Sequence, residues 1–124
     1  MALGVKCYLP DYIKVVDREV IKDAEWIDML GVSYLTVEWD TSGIVWPSTY
    51  STTTDIVVLG RNCEDGDGEQ IAASVSISVY PASRGLYKVA PTVAWPRYVK
   101  VTVSTNTFTS PTVSGTFRLH VFGQ

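Results

Sequence analysis

The sequence predicts an all-β protein: an antiparallel β-sandwich of about eight strands, wound as a jelly roll. Three observations predict it. Polar and apolar residues alternate with period two in several short runs, most cleanly over residues 97–104 and 116–122. Turn-forming residues separate the runs at intervals of about 8 to 12 residues, as in sandwiches. No stretch sustains a long helical stripe.

Residues 5–9 read as a strand that stops at Pro10, and residues 12–16 read as the next one. Between residues 17 and 30 the pattern is mixed. Val20, Ala24 and Ile27 fall at helical spacing behind a potential cap at Asp17. Trp26 and Met29 fall off that stripe, so extended structure with at most a short helical turn is expected. Residues 32–40 alternate clearly, with Leu35, Val37 and Trp39 on one face and Tyr34, Thr36 and Glu38 on the other. Thr41-Ser42-Gly43 is a turn by composition, and residues 44–46 run into Pro47, which marks a strand end or a sheet edge. Residues 52–59 are β-branched, and a polar loop occupies 60–68. Over 71–80, Val75, Ile77 and Val79 point inward and Ser74, Ser76 and Ser78 outward. Residues 81–85 form another turn, and 86–89 a short strand closed by Pro91. The last two runs place Val99, Val101 and Val103, then Phe117, Leu119 and Val121, in the core.

With 124 residues and 13.7 kDa, the chain suits one domain with a single core. Residues 17–124 are expected to form the sandwich, and residues 1–16 an N-terminal arm or edge strands. No apolar run approaches the ~18 residues of a membrane span. The first residues lack the apolar stretch of a signal peptide, so synthesis in a cytoplasm is expected. In that setting Cys7 and Cys63 are expected as two reduced, buried thiols rather than a bridge.

The net charge of −3 conceals an asymmetry. Residues 1–80 carry five basic and thirteen acidic side chains, whereas 81–124 carry Arg84, Lys88, Arg97, Lys100 and Arg118 with no acid. Five dispersed cations do not make the dense basic row of a nucleic-acid groove. Strands distant in sequence interleave in a sandwich, so the asymmetry need not become a surface dipole.

Catalytic constellations are not legible. Nucleophilic hydrolases need a base beside the nucleophile, and the one histidine, His120, lies on an alternating strand. Cys7, Cys63 and His120 are too far apart in sequence for zinc-type ligand spacing, and no cofactor motif occurs. The run Glu64-Asp65-Gly66-Asp67-Gly68-Glu69 offers Asp65, Asp67 and Glu69 as oxygen ligands for a cation. Its spacing departs from the calcium-loop pattern, and Asp-Gly repeats between strands favour a hairpin turn. Trp46 and Trp95 each precede a proline, which places them at strand ends where a partner or a glycan could reach them. Trp39 shares a face with Leu35 and Val37 and belongs to the core.

The segment Thr53-Thr54-Asp55-Ile56-Val57-Val58-Leu59-Gly60-Arg61-Asn62, the acidic Gly-rich turn after it, and Trp95-Pro96-Arg97-Tyr98-Val99-Lys100-Val101 together resemble the discoidin-like, galactose-binding-like jelly roll. Small stand-alone versions are similar to virion structural proteins of tailed bacteriophages, and the likeness covers about residues 30–124. The resemblance implies a non-enzymatic capsid decoration or cement protein in the virion, made in the host cytoplasm. Its partners would be the major capsid protein or other virion subunits, and its own copies, a trimer among the options; it implies neither nucleic acid nor membrane. Placement in the tail, neck or baseplate is one alternative, and a carbohydrate-binding adhesion module another. In the decoration reading the N-terminal arm donates a strand to a neighbour, with Val5, Tyr8, Leu9, Tyr12 and Ile13 as its apolar contacts alongside Trp46 and Trp95.

Overall fold

The computed structural model describes residues 6–7, 11–16, 18–22, 25–45, 52–108 and 113–124. Among these residues there are twelve strands and no helix. They are β1 (Lys6–Cys7), β2 (Asp11–Val16), β3 (Glu19–Ile21), β4 (Ile27–Asp28), β5 (Leu35–Asp40) and β6 (Ile44–Val45). After them come β7 (Thr52–Arg61), β8 (Glu69–Gln70), β9 (Val75–Tyr80), β10 (Arg84–Lys88), β11 (Tyr98–Val103) and β12 (Ser114–Gly123).

Eight of the twelve build the jelly roll. Taken as first to eighth along the chain they are β2, β4, β5, β7, β9, β10, β11 and β12. The first sheet has the order first-eighth-third-sixth, β2-β12-β5-β10, and the second has second-seventh-fourth-fifth, β4-β11-β7-β9. First pairs with eighth, second with seventh, third with sixth and fourth with fifth, all antiparallel. That pairing is one long hairpin rolled over on itself into two packed sheets.

The other four strands are short additions. β1 and β2 lie in line along one side of β12, β5 and β6 along the other. β3 extends the first sheet beyond β2, and β8 continues the line of β9 along β7. Among the described residues of 17–30, residues 19–21 and 27–28 are strands, Arg18 and Leu30 lie in turns, and none is helical.

The core forms where the alternating faces meet. Ile13, Val15, Leu35, Val37, Phe117, Leu119 and Val121 from the first sheet face Ile56, Val58, Ile77, Val79, Val99, Val101 and Val103 from the second. Two buried hydroxyls are satisfied: Thr54 pairs with Thr105 at 2.6 Å, and Thr41 donates to carbonyls of Ser78 or Ser83. Trp39 is half-buried against the core, its Nε1 donating to Ser83 Oγ at 3.2 Å. At the start of β12, Gly115 adopts φ +135° and a Cβ there would stand 2.3 Å from the Gly43 carbonyl oxygen. Only glycine lets β6 pass that close.

The two flanks of the first sheet differ. The outer side of β3 is closed by Val20 N–H donating to Asn106 O and Phe108 N–H donating to Arg18 O. β10 has only β5 as a strand neighbour among the described residues.

The expected arm is corrected by this pairing. β2 is an interior strand between β12 and β3, and β1 also pairs with β12. Residues 11–16 are thus part of the sandwich because their inward residues, Ile13 and Val15, complete its core.

Candidate interaction surface

The outward face of the first sheet carries a ladder of charge. Period two puts Glu38 and Asp40 of β5, Arg118 and His120 of β12, and Arg84, Leu86 and Lys88 of β10 on that face, opposite the buried residues between them. Register brings them side by side: Asp40 stands between Arg84 and Arg118, and Glu38 between Leu86 and His120. Arg118 Nη2 makes a short hydrogen bond to Glu38 Oε1, while Arg84 Nη1 approaches Asp40 Oδ2 only to 3.9 Å. Hydrogen bonds from Ser42 hold the Asp40 carboxyl below its ordinary range, and Arg84 and Arg118 add to the effect against a desolvation that opposes it. A groove of about 400 Å³ runs here, lined by Glu38, Trp39, Asp40, Arg84, Leu86 and Arg118 among others. His120 packs beside Phe122 with ring centroids 4.5 Å apart.

Large apolar side chains remain exposed on this face. Leu86 is 61% accessible at the β10 edge. At the other end Val16, Ile21 and Val45 are 57%, 48% and 70% accessible. Val45 stands opposite Ser114 and Val16 follows Val15, the partner of Gly115, so the two valines flank the start of β12.

The second sheet's outward face is organised differently. Arg61 lies 4.1 Å from the ring centroid of Trp26, and Lys100 Nζ lies 4.8 Å from it. Arg97 grips Asp28 through Nε and Nη2 at 2.8 and 3.0 Å, and Tyr98 donates to Glu64 at 3.0 Å. Arg61 also donates to the Gly66 carbonyl at 2.7 Å, tying the acidic loop back to β7. Trp26 is occupied by cations already, so it is no bare platform for stacking a sugar ring.

The residues singled out from sequence are scattered. Val5, Tyr8, Leu9 and Trp46 lie outside the described residues. Tyr12 has its backbone opposite Arg118 in the first sheet. Ile13 is corrected from an arm contact to a core residue: it is 0% accessible, because its side chain points to the inner face of β2. Trp95 packs half-buried against the core instead of standing free. Asp65, Asp67 and Glu69 are exposed on the β7–β8 hairpin, where Gly68 takes φ +87°. Among the described residues no three His, Cys, Asp or Glu side chains gather as metal ligands. Cys63 is an exposed free thiol on the same loop, not a buried one.

Sequence reasoning missed Leu86, Val16, Val45 and Trp26. The alternation Arg84-Gly85-Leu86-Tyr87-Lys88 contained the signal for Leu86. Gly85 sits under the Trp39 ring, where a Cβ would come within 2.5 Å of Cη2, so the inward position needed a glycine and the run resembled a turn. No family model, curated protein or solved structure matches the chain.

Proposed function

We propose that the chain is a non-enzymatic structural subunit of a tailed-phage virion, and within it a capsid decoration or cement protein that binds across joints between shell subunits. The observation that carries this reading is the exposure of Val16, Ile21 and Val45 together on a face where Arg118 is bonded to Glu38. Such a surface offers apolar area for burial and fixed charges for register, which suits adhesion to a subunit. The jelly-roll winding and the resemblance of residues 53–62 and 95–101 to the discoidin-like jelly roll, whose small stand-alone versions are similar to phage virion proteins, support the setting. The same adhesion would serve a tail or baseplate site. A trimer or other homo-oligomer would multiply the contacts.

Mass spectrometry of purified particles tests membership: the chain should appear in the shell at many copies, and its absence would refute the reading. Replacing Val16 and Val45 by aspartate should empty the particles of the chain without lowering its melting temperature.

A further inference from the structure

We propose that the free edge of β10 is a strand-docking site for an extended acidic segment of a partner, one with carboxylates two residues to either side of an apolar residue. The backbone geometry comes first. Thr41 N–H donates to Ser83 O and Val89 N–H donates to Leu35 O, at the two ends of the β10–β5 pairing. In an antiparallel ladder this parity directs the N–H and C=O of Ser83, Gly85, Tyr87 and Val89 toward β5. The N–H and C=O of Arg84, Leu86 and Lys88 therefore point away from the sheet, where no other strand pairs among the described residues.

Side chains then select the partner. Arg84, Leu86 and Lys88 all lie on the outward face, so an added antiparallel strand would set three residues directly opposite them. The Arg84 side chain is 80% exposed and only loosely engaged by Asp40, and Lys88 is exposed beside the Tyr34 ring. Two carboxylates facing Arg84 and Lys88, with an apolar side chain on Leu86, complete both charge and apolar contact. A second copy of β10 centred on Leu86 would instead set Arg84 against Lys88, two like charges. Cations on an edge strand commonly guard it against self-pairing, but the exposed Leu86 between them is an apolar contact that guarding does not require. Main-chain hydrogen bonds would supply affinity, and the alternate side chains specificity.

This docking site takes its setting from the adhesive role proposed above, yet the two fail separately: particle composition decides the role, and peptide binding decides the edge. The probe is a synthetic capped peptide whose central residues read Glu-Thr-Val-Thr-Glu, titrated at low ionic strength into the whole chain labelled for NMR. Saturable shifts should centre on the amides of Arg84, Leu86 and Lys88. A Lys-Thr-Val-Thr-Lys peptide should bind at least about tenfold more weakly, since like charges then face each other. Leu86→Pro removes an outward N–H but no bond to β5, so it should abolish binding and leave the remaining spectrum in place. Should that variant unfold, the Arg84→Glu, Lys88→Glu double variant decides, because it should reverse the preference between the two peptides. Equal affinity for both peptides, shifts centred away from β10, no saturable binding, or self-association through these amides would each overturn the proposal.

Discussion

Arg97 and Asp28 stand 69 residues apart in sequence and meet through two parallel hydrogen bonds of 2.8 and 3.0 Å. The pair follows from the winding. The first half of the rolled hairpin is acidic and the second half basic, and their strands lie side by side: β4 beside β11, β5 beside both β10 and β12. Asp28–Arg97, Asp40–Arg84 and Glu38–Arg118 are the resulting contacts. Three of the five cations in residues 81–124 are thus paired with acids of the first half.

Both partners of the Arg97–Asp28 pair are about half exposed, so water screens it. A double-mutant cycle with Arg97→Ala and Asp28→Ala, followed by urea unfolding, should give a coupling of about 0.2–1 kcal/mol that shrinks in high salt.

Two leucines contrast burial with exposure. Leu119 is fully buried at the centre of the first sheet. Leu119→Ala should cost about 2–5 kcal/mol of stability in urea unfolding. Leu86→Ala should change stability by less than about 0.5 kcal/mol while weakening any strand added at β10.

Tyr87 has a buried hydroxyl without a hydrogen-bond partner among the described residues, and burial pushes its pKa up to about 12. The unfolded chain releases that proton near pH 10, whereas the folded chain holds it to about 12, so stability should fall as pH rises through this window. Tyr87→Phe should remove this contribution to the decline and raise stability at neutral pH by about 1 kcal/mol. Thermal unfolding of both proteins at neutral and alkaline pH checks it.

Two glycines separate strain from collision. Gly31 has φ +78° and open space around it, so Gly31→Ala should cost about 1–2 kcal/mol. Gly115 combines φ +135° with the Gly43 carbonyl at 2.3 Å from a built Cβ. Gly115→Ala should cost clearly more, read as a larger drop in melting temperature.

The long strands were legible because each has one face in the core. Alternation in 98–103 and 117–121 identified the buried valines, Phe117 and Leu119 correctly. The described residues hold twelve strands where about eight are expected, and β3, β4 and β8 fall outside every expected run. β4 and β8 left no run because two residues hold no period, and β3 with three barely does, whereas β1 and β6 fall inside the expected runs 5–9 and 44–46. Ile13 was misassigned because a strand's neighbours, unlike its face, leave no mark in local sequence. The surface was least legible. Val45 and Leu86 are conspicuous only once the faces are known, and Trp26 meets Arg61 and Lys100 through register alone.

β12 is hydrogen-bonded to β1, β2, β5 and β6, all of which precede it in the chain. During synthesis, all four leave the ribosome before the segment that joins them. Until residues 114–123 emerge, the nascent chain carries several half-satisfied strand edges and an open apolar surface. Productive folding must wait for translation to pass that point, and a stall upstream of it releases a species prone to clump with its neighbours.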